Sequence, residues 1–184
     1  MAITATAMTL AQPRDSVVRR AGAGDREALA RLIEEPAVAL GGKPRDGAGL
    51  ALVELADDSI DTLVAEAREG LQGFLQLRWG RRPPSASWMR GSVELRRHYV
   101  RTRHRGAGVA ARLLDGAIHM ARARQATSLW LKVDKDAGQA VRFYQQHGFR
   151  LAGTALFMDG QHQREHWVLH RVIAPKQDPR RRAG

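Results

Sequence analysis

The chain has 184 residues, no cysteine and a formal charge of +11, with 43% hydrophobic and 27% charged residues. That length suits one well-packed domain rather than two, and no apolar run approaches the ~20 residues of a membrane span, so a soluble globular protein is expected. The lack of cysteine excludes disulfides, thiolate metal sites and any cysteine-bound acyl intermediate, and it fits a cytoplasmic location.

The charge is unevenly placed. Arg78 to Arg105 hold nine arginines against one acid, Glu94, a local excess of +8 in 28 residues. Such a stretch predicts an anionic ligand, either a phosphate-rich small molecule or nucleic acid. Residues 1–14 are small and apolar without a basic segment ahead of them, and they are expected to form a flexible leader rather than a secretory signal. Residues 175–184 read as a basic, solvated tail, which leaves 15–174 as a single domain.

In chain order, Val17 to Arg20 is a short strand, followed by a helical pattern in Ala28, Leu29, Leu32 and Ile33, capped by Gly24 or Asp25 and ending before Pro36. Leu50, Val53 and Leu55 suggest a second short helix. Thr62 to Glu66 and Leu71 to Trp79 suit a hairpin around Ala67-Arg68-Glu69-Gly70. After the loop Gly80 to Gly91, the strand Ser92 to Val100 loses its alternation at Arg96-Arg97, which predicts a bulge that splays it from its neighbour. Ala110, Leu113, Leu114, Ala117, Ile118 and Ala121 recur at helical spacing. Ser128 to Val133 is an apolar central strand, and Gln139 to His147 is a helix closed by Gly148. Arg150 to Met158 and Arg164 to Ile173 are two strands flanking the turn Asp159 to His162.

Between Val100 and the third helix lies Arg103-His104-Arg105-Gly106-Ala107-Gly108-Val109-Ala110. Glycines let the main chain close on an anion, and a helix N-terminus points free N–H groups at the same spot. Gly106, Gly108 and Ala111 fit the dinucleotide pattern G-x-G-x-x-G/A, with Asp134 near the acidic position. A dinucleotide loop abuts its strand, however, whereas Arg101 to Arg105 intervene here, and too little chain follows for a doubly wound sheet.

The other pattern in the loop is R-x-x-G-x-G. With Val93-Glu94-Leu95 and Tyr99-Val100 before it, and Ala140-Val141-Arg142-Phe143-Tyr144-Gln145-Gln146-His147-Gly148-Phe149 beyond it, the chain from Val17 to Ile173 resembles the GCN5-related N-acetyltransferase (GNAT) superfamily. The resemblance implies an α/β (α+β) acyl-CoA N-acyltransferase fold, with helices flanking a mixed sheet that splays between its fourth and fifth strands. Acetyl-CoA, the implied cosubstrate, lies in the split; the acceptor is a primary amine of a small molecule or protein, and neither a metal nor a membrane is involved.

By the same resemblance, Arg103, Arg105, Gly106, Ala107, Gly108, Val109 and Ala110 hold the pyrophosphate, and the main chain of Val100 pairs with the pantetheine arm. Tyr144 matches a tyrosine that protonates the departing thiolate, a role suited to a neutral phenol. Glu94 matches a general-base position, and its arginine neighbours should keep it ionised for catalysis or for a structural ion pair alike. His98 is an alternative base or a satisfied strand histidine, and His162 and His166 either line an acceptor pocket or lie at the surface. Ala137 stands where family members often carry asparagine, so a CoA contact is expected to be missing. With no cysteine, the amine attacks directly in a ternary complex. The alternative is a non-catalytic acyl-CoA sensor or nucleic-acid-binding module on the same fold, although the few aromatics near the arginines (Trp79, Trp88 and Tyr99) do not suit base stacking. A homodimer is left open.

Overall fold

The computed structural model describes residues 16–39, 46–86, 89–159 and 162–173, so the expected leader, the expected tail and Trp88 lie outside the described residues. Within them the elements run β1 (Val17–Arg20), α1 (Arg26–Ala39), α2 (Gly47–Ala56), β2 (Ile60–Ala67), β3 (Gly70–Arg78), β4 (Ser92–Val100), α3 (Val109–Ala123), β5 (Ser128–Asp134), α4 (Gly138–Gln146), β6 (Arg150–Asp159) and β7 (His162–Val172). The strands form one sheet in the order β1-β2-β3-β4-β5-β7-β6, and only β4 and β5 pair in parallel. Among the described residues no helix is long and apolar enough to cross a membrane.

Alternation along the strands divides the core between the two faces of the sheet. Leu63, Leu75, Leu77, Val93 and Leu95 meet the buried stripe of α3, which carries Val109, Leu113, Leu114, Ala117, Ile118 and Ala121. Val64, Leu71 and Phe74 point the other way, onto Leu29, Leu32 and Ile33 of α1 and Ala51 of α2.

The first helix differs from its sequence pattern at both ends. Pro36 lies inside α1, which continues to Ala39; burial of Leu32 and Ile33 outweighs the single backbone bond that proline removes. Asp25 caps a short 3-10 turn ahead of α1 rather than α1 itself, accepting from the Gly22 N–H at 2.8 Å. The Arg19 guanidinium, 2.7 Å away, holds the Asp25 carboxyl below the usual carboxylate range.

The bulge falls where alternation fails. Gln76 faces Arg97 and Leu77 faces Leu95, which leaves Arg96 without a counterpart on β3. Both bulge arginines turn to the carboxylate of Glu54 on α2, a residue 3% exposed, at 2.7 Å and 2.6 Å. Gln76 Nε2 donates to the same group at 2.9 Å. Arg101 likewise meets Glu35 of α1 at 2.9 Å. The +8 excess in the sequence is therefore partly neutralised by acids from α1 and α2. Glu54→Gln should cost about 2–3 kcal/mol of folding stability, because it strands two guanidinium groups in a poorly hydrated place. A urea midpoint unchanged from the parent protein would show that the triad contributes nothing.

The β4–β5 ladder has three rungs, Ser92 with Ser128, Val93 with Leu129 and Glu94 with Trp130, and then ends. β5 stays paired with β7 as far as Asp134, so β4 beyond Glu94 has an open side. This is the expected split.

Candidate active site

The open side of β4 exposes main chain as well as side chains. Arg101 N–H donates to the Gln72 carbonyl at 3.0 Å, which sets the phase of the β3–β4 ladder. Residues one and three positions earlier, Val100 and His98, therefore direct their N–H and C=O groups away from β3 and into the split. Such groups need partners, and the Val100 carbonyl accepts from Arg105 Nε at 3.2 Å.

Facing that strand is the start of α3. Gly108 is its N-cap, at φ +76° and ψ 3°, and Gly106 is also left-handed at φ +78°. A Cβ there would be strained, so glycine shapes this turn. The N–H groups of Val109, Ala110 and Ala111 lead the helix with no intrahelical carbonyl to meet, an arrangement whose partial positive charge, added to the macrodipole, suits an anion. Arg112 braces the loop from behind, donating to the Ala107 carbonyl at 3.2 Å and to Ser16 Oγ at 2.6 Å.

Strand, loop and α4 enclose a cleft of about 440 Å³. Of the residues singled out in the sequence, Val100, Arg105, Gly106, Gly108, Val109 and Ala110 line it, and His98, His104 and Ala111 join them. Ala107 is half-buried outside the lining. Arg103 does not line the cleft either: it sits exposed in the 3-10 turn Thr102–His104, its Nε donating to His104 Nε2 at 3.0 Å.

The far wall of the cleft is α4, which presents Ala140, Phe143 and Tyr144. Phe143 is half-buried and lines the cleft, whereas Phe149 is fully in the core. Ala137 holds the N-cap position of α4 and makes no side-chain cap. Burial pushes the Tyr144 hydroxyl well above the ordinary phenol range, which keeps it protonated. Its oxygen lies 3.2 Å from His98 Nδ1.

Burial also pushes the His98 imidazole down, to about 4. Unfolded His98 takes its proton near the ordinary value of ~6.5, so between that pH and 4 protonation favours the unfolded chain. The contribution of the neutral ring is complete above ~6.5 and lost as the pH falls, by on the order of 2 kcal/mol once the residue's partial exposure is allowed for. Denaturant midpoints at several pH values should show this loss, and His98→Asn should flatten it.

Glu94 sits elsewhere. It forms the last rung of the β4–β5 ladder, between Val93 and Leu95, which face α3, so its side chain is on the α1–α2 face of the sheet. It does not line the cleft, and four residues of strand, about 13 Å, separate it from His98. Among the described residues it has no ion pair, unlike Glu54 and Glu35. His166 is half-buried, edge-on to Phe157 at 5.6 Å, and the His162 side chain lies outside the described residues. Two contributions escaped the sequence patterns: the contact of His98 with Tyr144, and Gly73, whose missing Cβ lets β3 approach Tyr99 and Val100 closely. A glycine inside a strand was the available signal for the second.

Comparison with known proteins agrees with this geometry. Residues 28–149, well over half of the chain, match the Acetyltransferase (GNAT) family. Uncharacterized N-acetyltransferases of Mycobacterium tuberculosis and Mycobacterium bovis are 34% identical over 81 residues, covering 44% of this chain and 52% of theirs. The chain thus spans about half the length of the curated relatives it matches. The ribosomal-protein-alanine N-acetyltransferase of Brucella melitensis shares the fold at a TM-score of 0.68 and 22% identity, over 85% of this chain and 99% of that one. A GCN5-related N-acetyltransferase of Kribbella flavida does so at a TM-score of 0.67 and 24% identity, over 88% and 99%. The chain belongs to the acetyltransferase (GNAT) family.

Proposed function

We propose that the protein is an acetyl-CoA-dependent N-acetyltransferase that transfers the acetyl group to a primary amine by direct attack in a ternary complex. The observation that carries this reading is the β4–β5 split, which opens the main chain of His98 and Val100 onto the same cleft as the α3 N-terminus and the Tyr144 hydroxyl. These groups fit acetyl-CoA in order: loop and helix amides for the pyrophosphate, Val100 for an amide of the pantetheine arm, and Tyr144 for the sulfur. Arg105, now on the Val100 carbonyl, is placed to exchange it for phosphate, and Arg103 adds charge from outside the cleft.

The acceptor amine then approaches from the α1–α2 face, where Glu94 is the β4 carboxylate left free of ion pairs among the described residues. As the C–N bond forms and the C–S bond breaks, the amine gives a proton to Glu94 through water and the sulfur takes one from Tyr144. The acceptor is a primary amine of a small molecule or protein. A nucleic-acid ligand gains less from the arginine run than its sequence suggests, because Arg96, Arg97 and Arg101 are engaged by Glu54 and Glu35.

Calorimetric titration with acetyl-CoA, followed by a thiol-release screen over amines, tests the reading. Saturable heat and CoA release with one amine class are expected, with Glu94→Gln lowering kcat about 100-fold while acetyl-CoA binding is kept. Absence of saturable heat would overturn the acyl-CoA site, and ping-pong kinetics would overturn direct attack.

A further inference from the structure

We propose that His98 is a positioning residue for Tyr144: its Nδ1–H donates to the phenol oxygen and so leaves the Tyr144 O–H directed into the cleft, toward the departing sulfur. This inference rests on the acyl-CoA reading of the cleft and adds to it a residue on β4, 46 positions away from the tyrosine it orients.

The 3.2 Å contact between Nδ1 and the hydroxyl can run in either direction. If the phenol donated, its proton would turn into the protein and the ring would carry its own proton on Nε2. That atom decides the matter, because it is buried and has no hydrogen-bond partner among the described residues. A buried N–H without an acceptor is rarer and costlier than a buried lone pair without a donor. The one backbone group that pulls the other way, Ala110, does not reach hydrogen-bond geometry with Nε2. The proton therefore belongs on Nδ1.

The ring is also held in place and kept neutral. Phe143 packs edge-on to His98 with centroids 5.7 Å apart, and the Tyr144 ring lies 6.1 Å away. Burial and the neighbouring His147 both oppose a positive charge on the imidazole. A neutral Nδ1–H does not surrender its proton, since imidazolate would result, so His98 acts through its hydrogen bond. When the C–S bond breaks, the sulfur takes the Tyr144 proton and Nδ1–H steadies the phenolate left behind. The proton shed by the acceptor amine restores the phenol through solvent. One N–H and one C–S bond are lost, and one C–N and one S–H bond are made.

Two variants and one spectrum test the role. Removing a hydrogen bond to a developing charge should lower the thiol-release kcat of His98→Leu about 10- to 100-fold, with the KM for acetyl-CoA moving less than about threefold. His98→Asn, whose amide N–H falls near the Nδ1 position, should recover to within about fivefold of the parent. Two-bond proton–nitrogen NMR of histidine-labelled protein at neutral pH should show a neutral Nδ1–H tautomer that disappears in His98→Asn. An Nε2–H tautomer at His98, or a folded His98→Leu whose kcat is unchanged or raised, overturns the inference while the acetyltransferase reading stands. A parent protein that binds no acetyl-CoA and releases no thiol overturns that reading, and this role with it.

Discussion

Tyr144→Phe is expected to lower kcat about 100- to 1,000-fold, the usual contribution of a well-placed proton donor, while acetyl-CoA affinity stays within about threefold. The substitution removes one oxygen and leaves the ring, which packs on Phe143 with centroids 5.2 Å apart and on Phe149 at 5.4 Å. Folding should suffer by only about 1 kcal/mol, the worth of one buried hydrogen bond, here the one to His98. Because burial raises the phenol above its ordinary range, the donor form persists throughout the neutral and mildly alkaline range. No loss of rate assignable to Tyr144 should therefore appear as the pH rises toward 10, the ordinary phenol value. Thiol-release kinetics and calorimetry measure the two quantities separately. Full turnover in the variant would remove Tyr144 from the chemistry.

The second large effect is expected at a residue that touches no substrate. Gly73 on β3 pairs with Val100, and a Cβ at Gly73 would lie 2.4 Å from the Tyr99 carbonyl oxygen and 3.0 Å from Val100 Cα. Both obstacles are backbone, so β3 and β4 must part at the stretch of strand that faces the cleft. Gly73→Val should cost about 2–4 kcal/mol by overpacking and weaken acetyl-CoA binding by more than about tenfold. Gly24→Ala is the control, because nothing lies within 4 Å of a Cβ there, and it should leave both stability and binding as they were. Equal behaviour of the two variants would show that the Val100 main chain has no part in binding.

The ion pairs around β4 bear on how the charge of this protein should be read. Nine arginines in a short stretch look like an open basic surface, yet Arg96, Arg97 and Arg101 face carboxylates contributed by helices 40 or more residues earlier in the chain. Charge counted along a sequence overstates the field wherever counter-ions come from another element.

Much of the molecule was legible from the amino-acid order because it rests on local patterns. The stripe from Val109 to Ala121, the hairpin of β2 and β3, the bulge at Arg96 and the glycine turn ahead of α3 each follow from residue spacing and backbone freedom within a dozen residues. Pro36 was misleading for the same reason: a local stop signal was outweighed by burial of α1 against the sheet. Which groups meet across the sheet is a different kind of information. Glu94 and Tyr144 fall on opposite faces, His98 reaches Tyr144 from another element, and Glu54 gathers Arg96, Arg97 and Gln76 into one buried cluster. By itself, the sequence determined the element order, the glycine turn ahead of the third helix and the phenol on α4. Only the tertiary structure decided which main chain lies open, which charges are spent on one another and which side chains from distant elements meet in the cleft, because those depend on contacts between residues far apart in the chain.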